Sequence, residues 1–171
     1  MSMTHYMALL ADNQPWNLIL FMAIPVILAE TVAITELFIL LDRPNRGPIP
    51  TLNRWASILG GAYFSGVFVY LSLTAAIPLT LQGGWRGPAD VIAVLAYLSG
   101  VIPLSGLALV DLRWIGAGWV EQRRLRAHAF LVAFFLVVAH VAMIFGMLDP
   151  TIMWSDHSAA AVHGSPHSMM H

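Results

Sequence analysis

Four long apolar runs, separated by short polar connections, constrain this chain more than any other feature. They cover residues 16–41, 55–81, 91–110 and 125–148. Each meets the roughly 20 apolar residues that an α-helix needs to cross the hydrocarbon core of a bilayer. Within lipid, backbone polar groups must be satisfied inside their own segment, so runs of this length read as helices. Composition agrees: 58% of the 171 residues are hydrophobic and only 10% are charged, against about 25% charged in soluble domains. The expected fold class is an all-α integral membrane protein, a four-helix antiparallel transmembrane bundle. An outer segment, residues 1–14, precedes the transmembrane domain of residues 15–148. A His/Met-rich outer tail, residues 149–171, is expected to be flexible and follows it. No basic residue precedes the first apolar run, so the N-terminus does not read as a secretory signal peptide.

Orientation follows from the arginines. All eight basic residues are Arg. Seven of them (Arg43, Arg46, Arg54, Arg113, Arg123, Arg124 and Arg126) lie in or beside the connections between runs one and two and runs three and four; only Arg86 lies on the opposite side. The positive-inside rule then places both termini outside. The expectation is a multi-pass protein of a bacterial inner (cytoplasmic) membrane with periplasmic or other extracytoplasmic ends.

Within the runs, Pro15 suits the first turn of a helix, Trp16 a membrane boundary and Pro25 a kink. Ser57, Gly61 and Ser65 recur every four residues and form a small-residue ridge for close approach of another helix.

The candidate chemistry lies in soft ligands. The absence of cysteine excludes disulfides, thiolate metal sites, iron–sulfur clusters and covalently attached haem. Methionine and histidine remain. His140, Met143 and Met147 follow i, i+3, i+7 spacing on one helix face. The helix rise puts His140 roughly 12 Å, and Met143 roughly 8 Å, below the outer end of the fourth run. Met22 stands roughly 9 Å below the outer end of the first. If runs one and four are neighbours, Met22, His140 and Met143 share one depth, and imidazole with thioethers suits Cu(I). The alternative is that the methionines are ordinary apolar filler. Outside the runs, Met1, Met3, His5 and Met7 form one loose soft-ligand string, and His157, His163, His167, Met169, Met170 and His171 a second. Short His-rich tracts are a compositional sign of metal binding. Nothing has the fixed spacing of a zinc site.

The first run also carries Glu30 and Glu36. Charged groups at such depth are costly and read as functional candidates, here steps on an intramembrane proton or cation path. Glu36 lies nearly level with His128 and one turn from Arg124, which reads as a structural ion pair between runs one and four. Tyr63, Tyr70 and Tyr97 are available to donate hydrogen bonds to a buried carboxyl or a bound quinone, or to act structurally.

Three readings of function follow. The first is binding or trafficking of a soft metal ion, copper above others, from the outer side. The second is a redox subunit holding b-type haem or quinone, with His140 paired to Met22 or to a second His140. The third is an accessory subunit or assembly factor without chemistry of its own, in a homodimer or a larger membrane complex. A proton-coupled permease using Glu30 ranks below these, since four spans are few for alternating access. Near-zero net charge argues against a nucleic-acid partner, and no nucleophile or phosphate-loop motif supports an enzyme of those classes.

Overall fold

A computed structural model describes residues 3–41 and 47–150, and all of its regular structure is helical. Four helices are long and apolar enough to cross a membrane: Trp16–Leu41, Ile49–Gln82, Pro88–Asp111 and Glu121–Met147. They are called the first to fourth spans below. This is the architecture of a multi-pass membrane protein. Their outward faces carry Ile27, Leu37, Leu59, Val69, Ile102, Phe130 and Val137, all exposed. The histidine- and methionine-rich stretch from residue 151 onward, with His157, His163, His167, Met169, Met170 and His171, lies outside the described residues.

Successive spans pack side by side, and the fourth returns to the first, so the order around the bundle is 1–2–3–4. The seam between the first and fourth spans is the least tightly packed of the four. The 57/61/65 ridge faces the third span. A Cβ on Gly61 would stand 2.5 Å from both the Ala108 Cβ and the Leu104 carbonyl oxygen. Ser65 and Ser105 hydroxyls meet at 2.9 Å, and Ser57 donates to Asp111. Small residues here substitute for a hydrophobic driving force that lipid cannot supply.

Three span boundaries differ from expectation for one shared reason. The second span begins at Ile49 rather than residue 55, with Pro50 in its first turn. The third begins at Pro88 rather than residue 91, and the fourth at Glu121 rather than residue 125. First-turn N–H groups need no intrahelical partner, so proline and charged residues are tolerated there. Apolar runs therefore understate helix length. The N-terminal segment also differs: His5–Ala11 is a helix that buries Tyr6 and Leu10.

Proline shapes the spans internally. Pro25 and Pro78 each follow, by two residues, a wide π-helical turn, Ile19–Ala23 and Ser72–Ala76. In the first of these, the Ile24 N–H reaches back to Ile19. The carbonyls of Leu20 and Phe21 then face a proline without an N–H. Two tyrosines take up the deficit: Tyr63 donates to the Leu20 carbonyl at 2.8 Å, and Tyr97 to that of Phe21 at 2.5 Å. Both hydroxyls are thereby engaged with backbone carbonyls.

Replacing Gly61 with alanine is expected to lower stability by about 1–3 kcal/mol, since backbone and Ala108 must both shift. Gly66→Ala, whose added Cβ meets nothing within 4 Å, should cost nothing. Thermal unfolding of the two variants in detergent, side by side, checks this; equal melting temperatures would refute the packing assignment.

Candidate functional site

Two polar centres and one cavity stand out, and each uses residues from several spans. At the arginine-rich end, the His128 ring lies between two carboxylates. Its Nδ1 is 2.7 Å from Glu36 Oε1, and its Nε2 is 3.3 Å from Asp111 Oδ1. All three side chains are buried. Asp111 also accepts from Ser57, and Asn53 donates to the Val32 carbonyl at 3.1 Å and to Thr35 at 2.8 Å. Every span thus reaches this layer. Glu36 Oε1 and His128 Nε2 lack aligned hydrogen bonds, so the attraction there is of charge more than direction. As imidazolium the ring presents an N–H at each nitrogen, matching two acceptors. Arg124 is close enough to Asp111 to act on it electrostatically.

At the opposite end, Asp90 is fully buried in the first turn of the third span. It accepts from the His5 backbone N–H at 2.6 Å and lies 2.5 Å from His5 Nδ1. It also accepts from the Arg86 N–H at 3.2 Å. A carboxylate is favoured at a helix N-terminus. Arg86 in turn donates to the Met3 carbonyl, and Thr4 to that of Gly146 at 2.7 Å. These contacts fasten the N-terminal helix over the ends of the third and fourth spans. A Cβ on Gly146 would lie 2.7 Å from the Tyr6 ring, so glycine permits that approach.

The cavity lies beneath Tyr6, in the loose seam between the first and fourth spans, and holds about 220 Å³. Its floor and walls include Phe21, Phe64, Tyr97 and Phe135, and its polar or polarisable groups are Met22, Glu30, His140 and Met143. Met22 belongs to the π-helical turn, a distortion often found at functional sites. His140 directs Nδ1 at the Leu136 carbonyl, 2.6 Å away. With the proton on Nδ1, the Nε2 lone pair is left available, the same tautomer fixing seen in metal-ligating histidines. Burial pushes the Tyr6 hydroxyl up to about 12, so the lid stays neutral at physiological pH.

The sequence-derived candidates are thus divided. Met22, Glu30, His140 and Met143 line the one cavity. Met147 is 68% exposed and outside it. Glu36 and His128 belong to the buried layer at the other end, so Glu30 and Glu36 sit in different surroundings. Of the N-terminal Met/His string, His5 is held by Asp90 and Met7 packs at Gly146, both on the docked helix, while Met3 precedes that helix and Met1 lies outside the described residues. Asp111 and Asp90 are the additions. They flank the third apolar run, Asp90 just before it and Asp111 just after, and read as loop residues; the signal available for Asp111 was its depth, level with Glu36 and His128. Among the described residues no group of three or more His, Cys, Asp or Glu side chains is arranged to hold a metal ion.

The model of a family of unknown function, DUF6803, matches residues 1–162, and the chain belongs to that family. No curated protein and no solved structure matches it.

Substituting His128 with alanine leaves two buried carboxylates without their cation and is expected to cost roughly 3–5 kcal/mol. Denaturant titration of purified protein in mixed micelles measures it. A loss under 1 kcal/mol, at the scale of an exposed pair, would show that the layer is not an ion-paired one.

Proposed function

We propose that this member of the DUF6803 family takes a soft metal ion, Cu(I) above others, from the outer side of a bacterial inner membrane. The ion enters the cavity between the first and fourth spans, for retention or transfer to a partner. The observation that carries this reading is the gathering of Met22, His140 and Met143 around one cavity, with His140 Nδ1 tied to the Leu136 carbonyl. Two thioethers and an imidazole Nε2 form a donor set for a soft monovalent cation. Glu30 in the same wall supplies compensating negative charge. A harder ion, or zinc, would want further oxygen or nitrogen ligands.

Cavity size favours an ion over a larger guest. At about 220 Å³, it falls below the roughly 300–1,000 Å³ of sites for drug-sized molecules. Its aromatic wall and position in a loose seam favour a quinone ring as the second reading. A b-type haem would draw on His140 with a methionine, since His128 is engaged by two carboxylates. The sidedness rests on seven arginines at one end against one at the other. On this topology the histidines and methionines of the C-terminal tail share the side of the cavity and collect metal for it.

The test is Cu(I) titration of the purified full chain against a chromophoric chelator. Wild type is expected to bind at least one equivalent. Met22→Leu with Met143→Leu, and separately His140→Phe, should each weaken binding by about tenfold or more, the least expected from losing a direct ligand. Deleting residues 155–171 should lower total capacity while leaving the tightest equivalent. Equal Cu(I) affinity in wild type, the Met22→Leu/Met143→Leu double variant and His140→Phe would overturn the assignment, and a Soret band in the purified protein would replace it with the haem reading.

A further inference from the structure

A second pocket opens at the arginine-rich end of the bundle and is unrelated to the metal reading. It holds about 340 Å³, within the range of small-molecule sites. Arg113 and Trp119 come from the connection between the third and fourth spans, Glu121 and Arg124 from the first turns of the fourth, and Asn53 from the second. His128 also lines it; it is 2% exposed, and its Nε2 lies 3.3 Å from Asp111 Oδ1.

The connecting segment is built to present these groups. Arg113 has a φ of +61°, a left-handed conformation that L-residues other than Asn and Asp seldom adopt. Strain of this kind persists where the surroundings impose it. Gly116, at φ +73°, lets the Trp119 ring lie against its backbone; a Cβ there would stand 2.4 Å from the ring. The Trp119 N–H donates to the Gly116 carbonyl at 2.9 Å, and the Arg123 guanidinium stacks on the indole at 4.8 Å. The indole is therefore fixed in place, and Arg113 and Arg124 line the same pocket.

We propose that this pocket binds a phosphate group, that of an anionic lipid headgroup or of a soluble phosphate ester. Arg113 and Arg124 supply charge-assisted donors. The Asn53 amide donates to Val32 and Thr35 and the His128 ring lies between Glu36 and Asp111, so the two arginines are the donors for the anion, and Trp119 occupies the interfacial level where indole rings settle. Basic pockets between spans at the arginine-rich side suit such headgroups. Glu121 is the acidic group at the rim, and it opposes an anion.

Native mass spectrometry of the full chain in neutral detergent tests the proposal, with no metal added. Phosphatidylglycerol and phosphatidylcholine are supplied in one arm, glycerol 3-phosphate and inorganic phosphate in the other. Wild type is expected to keep phosphatidylglycerol under activation that strips phosphatidylcholine; retention of glycerol 3-phosphate or phosphate alone would assign the soluble source. Arg113→Gln and Arg124→Gln should each reduce retention about tenfold, the effect of losing a hydrogen bond to a charged group. Glu121→Gln should raise it, a gain that misfolding does not produce. Equal retention of the two lipids with neither soluble anion bound overturns the site. So does retention that is unchanged in both arginine variants and in Glu121→Gln.

Discussion

The bundle depends on one buried imidazole. His128 stands between Glu36 of the first span and Asp111 of the third, and Asp111 is bonded to Ser57 of the second. Each buried carboxylate costs several kcal/mol to remove from solvent, repaid only when the pairing partner is in place. The arrangement consequently penalises slippage. Sliding the first, third or fourth span by one turn, about 5.4 Å, would strand at least one charge in an apolar layer, and sliding the second would break the Ser57–Asp111 hydrogen bond. Apolar packing between lipid-facing helices has no such selectivity, because Leu and Ile lose little when they trade one apolar neighbour for another.

The two ends of the molecule are held by different means, and this separates their properties. Around His128 the spans are joined by charge and by the close approach of Gly61 to Leu104 and Ala108. Toward the other end the first span carries a wide π-helical turn ahead of Pro25, its freed carbonyls satisfied by Tyr63 and Tyr97. There the first and fourth spans stand apart, aromatic side chains fill part of the gap, and a short helix tied down by Asp90 lies across it. The cavity exists because proline and the wide turn keep the first span from packing along its full length.

Much of this was legible in the sequence, for identifiable reasons. Apolar run length located the four spans, since a helix that buries no polar backbone in lipid must be apolar throughout. Counting residues along the helices put Glu36 near His128, and Met22 level with His140 and Met143, because helix rise converts sequence into depth. The irregular turn before Pro25 follows from the missing N–H. Asp111 and Asp90 were not legible, since each borders the third apolar run and its partner is set by how distant elements meet. The N-terminal helix was hidden as well: HYMALLA is too short to stand alone and is helical through what Tyr6, Leu10 and Thr4 find on the spans. The rotation that parts Met147 from Met143, and Glu30 from Glu36, is likewise a property of the packed bundle.

The seam between the first and fourth spans has a mechanical reading. It is clasped at the Glu36–His128 contact and parted around His140, like a lever with its fulcrum near one end. Twelve residues of helix, roughly 18 Å, form the arm between His128 and His140. A tilt of about 5° about that fulcrum carries His140 by roughly 1.5 Å along an arm of this length. Displacements that are negligible at the ion-paired end are therefore amplified at the cavity. The N-terminal helix lies at the far end of that arm, tied to the third and fourth spans through Asp90 and Gly146.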